Sequence, residues 1–84
     1  MHEGAVCREI MDIAQNAAAS NHIEKIYEIV VATGPYSCVI ESQLNFYFDI
    51  CRVGTCMEEA VIRLEQDDTI EGTSQIFVRS IRGD

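Results

Sequence analysis

The stretch Glu24-Lys25-Ile26-Tyr27-Glu28-Ile29-Val30-Val31-Ala32-Thr33, stopped by Gly34-Pro35, decides how the rest of the chain must fold. It is crowded with β-branched and aromatic residues and ends on a strong breaker, so it reads as a strand. Upstream, from Gly4 to Ser20, apolar residues fall at Val6, Cys7, Ile10, Met11, Ile13, Ala14, Ala17 and Ala18, with Arg8, Glu9, Asp12, Gln15 and Asn16 between them. That spacing predicts an amphipathic helix, with Asn21 as its left-handed end. Downstream, a loop through Tyr36 to Ile40 leads to Leu44, Tyr47, Phe48 and Cys51 at i, i+3, i+4, i+7 spacing, a second helix. Glu41 or Ser42 can start it and Gly54 ends it, and its apolar face assigns Tyr47, Phe48 and Cys51 to the core.

Beyond the loop Thr55 to Glu59, the segment Ala60 to Glu65 sets Ala60, Ile62 and Leu64 against Val61, Arg63 and Glu65, the alternation of a half-buried strand. A polar turn over Asp67 to Thr73 precedes a third strand, Ser74 to Ile81, in which Ile76 and Val78 face one way and Phe77, Arg79 and Ile81 the other. The order α-β-α-β-β predicts an α+β fold, a two-layer domain with two helices on one face of a mixed three-stranded sheet. The β-α-β part calls for a right-handed parallel crossover, and the last two strands are expected to pair as an antiparallel hairpin. No repeat, low-complexity tract or linker divides residues 1 to 84, so they read as a single domain.

Composition bounds what such a domain can do. With 48% apolar and 24% charged residues the chain is neither disordered nor collagen-like. A domain of 84 residues buries only a little over about 60% of its unfolded surface, so its stability is marginal. Fourteen Asp and Glu against six Lys and Arg give a net charge of −8, the wrong sign for neutralising phosphates or docking on anionic lipid. Nucleic acid and membrane are therefore set aside as partners. The longest aliphatic run, Ile29 to Ala32, is far short of a membrane span, and Met1-His2-Glu3-Gly4 lacks the features of a secretory signal. The expectation is a cytoplasmic chain that begins where the sequence does.

Cys7, Cys38, Cys51 and Cys56 include no Cys-x-x-Cys pair, so no structural zinc is expected. They read as free thiols in a reducing compartment, with a disulfide or a scattered metal site as alternatives. The metal chemistry falls at the terminus. Histidine in second place is too large for ready removal of the initiator, so Met1 is expected to keep a free α-amine. That amine, the His2 amide once deprotonated and the His2 imidazole supply three nitrogens in a row, and Glu3 adds a carboxylate. Tetragonal N and O sets favour Ni(II) or Cu(II) over zinc or magnesium. His22, by contrast, reads as a solvated turn residue, and Asp67-Asp68 with Glu71 lacks the glycine and spacing of a calcium loop. No nucleophile elbow, phosphate loop or paired His-Glu motif appears, so the chain reads as no enzyme.

Met1-His2-Glu3 opening into a helix, the Lys25 to Thr33 strand, Gly34-Pro35-Tyr36-Ser37 and the helix Leu44-Asn45-Phe46-Tyr47-Phe48-Asp49 together resemble the HypA family of nickel-incorporation proteins used in hydrogenase maturation. The similarity runs from Met1 to about Glu65 and resumes from Gln75 to Ile81. It implies a nickel-binding metallochaperone-like protein for a nickel-iron hydrogenase, with His2 as the essential ligand, Met1 as a nitrogen donor and Glu3 as a ligand or tuning residue. It also implies a maturation GTPase of HypB type and a hydrogenase large subunit as partners. Asp67 to Thr73 stands where family members carry a zinc module built on two Cys-x-x-Cys pairs. Pro35 and Ile40 stand where they often carry acidic residues. The alternative is a non-metal protein-interaction module of the same fold that has lost nickel delivery. A homodimer, through Val61, Phe77 and Ile81 or through an unpaired edge strand, is a further expectation.

Overall fold

The computed structural model describes residues 3 to 84, which fold as α1 (Glu3–Ser20), β1 (Ile26–Thr33), α2 (Glu41–Cys51), β2 (Val61–Gln66) and β3 (Ile76–Gly83). The expected α-β-α-β-β order is observed, with both helices on one face of a mixed sheet. The strand order is β2-β1-β3, with β1 parallel to β2 and antiparallel to β3. The expected hairpin between the last two strands is therefore absent. The aliphatic strand β1 lies between them instead, where pairing on both edges satisfies the backbone of the most apolar strand.

That placement forces the connection from β2 to β3 across the end of β1. Thr33 is in register with both Gln66 and Ile76, and the intervening loop arches over it. Asp67 builds the arch. Its N–H donates to the Thr33 carbonyl at 2.8 Å, and its Oδ1 accepts from the Thr69 N–H at 2.9 Å and hydroxyl at 2.6 Å. Arg79 Nη2 holds the other oxygen at 2.7 Å. These donors keep the Asp67 carboxyl below its ordinary range, those from Thr69 first and the Arg79 guanidinium after them. Ile70 at the top of the arch is buried, and a Cβ on Gly34 would collide with the Ile70 carbonyl, so only glycine lets the arch close.

The core is a single cluster between the helices and the sheet. Val6, Cys7, Ile10, Ala14 and Ala18 come from α1, Leu44 and Phe48 from α2, and Ile26, Ile29, Val31 and Ile62 from the sheet; Met57 and Ala60 close one end. A fully buried Ile, Leu or Phe contributes roughly 1.5–3 kcal/mol each. Two bulges bring strand residues into this cluster. Tyr27 is an extra residue in β1, so Ile26 and Ile29 both face inward. Arg79 is an extra residue in β3, and beyond it the alternation changes phase. Ile81 consequently joins Ile76 and Val78 against the core, rather than Phe77 and Arg79 on the outer face as uninterrupted alternation predicts. The outer face carries Glu28 between Arg63 (3.3 Å) and Arg82 (3.9 Å), and Arg79 between Asp67 (2.7 Å) and Glu65 (3.9 Å).

The helix ends also differ in detail from expectation. Asn21 is not the left-handed residue after α1; His22 is, with φ 57°, and the Ile23 N–H donates back to the Ala18 carbonyl at 2.9 Å. Asn21 instead caps the Ala17 carbonyl through its side chain at 2.7 Å. After α2 the left-handed position falls on Gly54, as expected, with φ 78°.

Candidate metal centre

Of the expected ligands Met1, His2 and Glu3, the first two lie outside the described residues. Glu3 is the first residue of α1 and half-buried, placing a carboxylate in the turn where the helix dipole favours negative charge. Gly4 packs beside the Tyr47 ring: a Cβ there would stand 4.0 Å from Tyr47 Cδ1. The start of α1 thus lies against the flank of α2. Tyr47 is half-exposed there, edge-on to Phe46 with ring centroids 5.8 Å apart, and not in the core as its helical spacing predicts. Among the described residues no three His, Cys, Asp or Glu side chains come together as a metal-holding group.

The remaining candidates fall into place one by one. His22 is an exposed turn residue, as its position suggests. All four cysteines are free thiols. Cys7 is buried, and burial, reinforced by the nearby Cys51, pushes its thiol up to about 11, which makes it an inert small hydrophobe at neutral pH. Cys51, the last residue of α2, is exposed, contrary to the core position its spacing predicts. Cys56 lies half-buried in the lining of a cleft of about 390 Å³ with Glu24, Lys25, Thr55, Glu58 and Glu59. The cation in that cleft is already paired: Lys25 Nζ lies 2.7 Å from Glu59, whose carboxylate raises the ammonium's pKa.

Ile40 is the N-cap of α2 and makes no side-chain cap bond. Its acidic neighbour Glu41 is committed elsewhere, accepting the Leu64 N–H at 2.8 Å. One turn on, Asn45 donates to the Ile62 carbonyl at 2.8 Å and accepts the Ile62 N–H at 2.9 Å. This pair of bonds imitates a strand, fixes the amide's orientation and caps part of the free edge of β2. Sequence reading passes over Asn45; the available signal was a poor helix former in mid-helix, one turn after Glu41.

A protein-family model described as hydrogenase/urease nickel incorporation, metallochaperone, hypA matches residues 1–71. The hydrogenase maturation factor HypA of Actinobacillus succinogenes is 36% identical over 62 residues, covering 74% of this chain and 55% of that protein. That of Salmonella typhimurium is 28% identical over 68 residues, covering 81% and 58% respectively. The solution structure of the Ni metallochaperone HypA from Helicobacter pylori superposes with a TM-score of 0.68 at 24% identity, over 80% of this chain and 58% of that one, a likeness of fold. The chain therefore spans somewhat more than half the length of these relatives.

Proposed function

Because the chain belongs to the HypA family, we propose that it is a nickel-binding, metallochaperone-like protein for maturation of a nickel-iron hydrogenase, carrying Ni(II) at Met1, His2 and Glu3. The observation that carries this reading is that the family match begins at residue 1 and so includes the triplet. The chemistry supports it as well. The α-amine, the deprotonated His2 amide and the imidazole are nitrogen donors suited to a tetragonal Ni(II), and the Glu3 carboxylate stands next to them in sequence. Protons compete for the same nitrogen donors, so affinity is expected to rise with pH. On this reading the protein is a carrier and not an enzyme. It works in the cytoplasm and passes its metal to a GTPase of HypB type and onward to the hydrogenase large subunit.

Calorimetry on untagged protein tests this directly. Near-stoichiometric Ni(II) binding is expected, lost in His2→Ala and lost when residues are added ahead of Met1. Binding that survives both changes would overturn the assignment.

A further inference from the structure

Two of the four free thiols, Cys7 and Cys51, lie on the two helices, and the packing of those helices brings them to one level. α1 turns straight into β1, and α2 carries the chain from the end of β1 back to the start of its parallel neighbour β2. Both helices therefore run against β1 and in the same direction as each other. One point of their contact is Gly4 beside Tyr47. Cys7 follows Gly4 by three residues and Cys51 follows Tyr47 by four, so each thiol stands one turn on, on the same side of its helix as the residue at that contact. The climb is about 4.5 Å along α1 and about 6 Å along α2, which leaves the two cysteines nearly opposite one another.

The spacing of packed helices suits a covalent link at such a place. Helix axes ordinarily lie about 8–10 Å apart with Cα atoms about 2.3 Å from each axis, so facing Cα atoms come within roughly 4–6 Å, the separation a disulfide spans. Their nearness has an electrostatic trace, since charge on Cys51 acts on the Cys7 thiol in addition to burial. The two sulfurs also differ in access: Cys7 is 1% exposed, whereas Cys51 is exposed and open to a reagent. Cys38 and Cys56 both lie off the helices, in the loops before and after α2.

We propose that Cys7 and Cys51 form a reversible disulfide that pins α1 to α2 when the protein meets a small disulfide oxidant such as oxidised glutathione. The Cys51 sulfur gives up its proton and attacks one sulfur of the oxidant, whose S–S bond breaks and releases one thiol carrying that proton. The Cys7 sulfur, giving up its own proton, then attacks the Cys51 sulfur and displaces the second thiol. Two electrons and two protons have then passed from the protein to the oxidant. The closing step is intramolecular, and its proximity offsets the small thiolate fraction of a buried thiol. The bond closes the long loop from residue 7 to residue 51, which takes freedom from the unfolded chain and stabilises the fold. None of this needs nickel, so the test is separate from that of the metal site.

The test treats the untagged, metal-free protein with oxidised glutathione and follows intact mass, with Cys38→Ser/Cys56→Ser as the background that leaves only the proposed pair. A monomer lighter by two hydrogens is expected, its tryptic fragments 1–8 and 26–52 joined in that background, and dithiothreitol should reverse both changes. The thermal midpoint of the closed form should rise by at least about 5 °C over the reduced form. Cys51→Ser, a change at an exposed position, should keep the amide spectrum of the folded protein and lose both the link and the rise. A glutathione adduct that stays on Cys51 would overturn the proposal, as would a linked dimer in that background. So would a link in the four-cysteine protein that survives Cys51→Ser, or a closed form with no gain in midpoint.

Discussion

α1 and α2 cover the same sheet yet dispose of their apolar residues differently. α1 buries Val6, Cys7, Ile10, Ala14 and Ala18, and of its large apolar residues only Ile13 stands largely in solvent. α2 buries only Leu44 and Phe48 and leaves Phe46, Tyr47 and Ile50 out, with Val53 just beyond its end. α1 is therefore held by hydrophobic area, whereas α2 is held by two aromatic and aliphatic anchors together with polar bonds from Glu41, Asn45 and Arg52 to β2 and its approach. Apolar spacing in a helix therefore says how many faces are apolar, and not which of them meets the core.

The sharpest break of this comparison uses two phenylalanines of α2. Phe48→Ala empties a fully buried site and is expected to cost about 3–5 kcal/mol, enough to unfold much of a marginal domain. Phe46→Ala, two residues away and exposed, should stay within about 0.5 kcal/mol. Denaturant midpoints of the two variants measure both, and similar losses would mean that the outward face of α2 is buried in the native protein.

A smaller effect tests the polar half of the comparison. Asn45→Ala leaves the Ile62 N–H and carbonyl without their partner, at a cost of about 1–3 kcal/mol, and should speed hydrogen exchange of the Ile62 amide. Unchanged exchange at Ile62 would show that the strand edge does not depend on α2. The smallest effect contrasts the helix ends. His22→Gly relieves a left-handed residue that bears a Cβ, so it should raise stability by about 0.5–1 kcal/mol, read as a higher thermal midpoint. The end of α2 has no such reserve, since Gly54 already occupies its left-handed position.

Much of this fold was legible because its signals are local. Spacing locates both helices, β-branched content locates β1, and alternation locates β2, each strand to within about two residues. The misassigned faces have physical causes. Simple alternation turns Ile81 outward because a bulge at Arg79 carries no residue signature, and one extra residue exchanges the faces of every position after it. Spacing assigns Tyr47 and Cys51 to the core because they share a helical face with Leu44 and Phe48, but of these four only Leu44 and Phe48 are buried. Of the candidate centre, only Glu3 falls among the described residues, at the first position of α1 as the sequence places it. What the start of α1 packs against is not legible in the sequence, since Gly4 beside Tyr47 is a contact between residues more than forty positions apart.

Residue order and spacing were enough for the sequence α-β-α-β-β, a net charge of −8 and a nitrogen-rich terminus directly before a helix. Those properties follow from composition and short-range periodicity, which each segment carries alone. Only the tertiary structure decided that β1 is central, that the last two strands never meet, that Asn45 and Glu41 close the edge of β2, and that one face of α2 is left uncovered. Each of these is a choice among partners distant in the chain. Burying the most aliphatic strand on both edges settles it, because the free energy of that burial is shared by the whole core and belongs to no single segment.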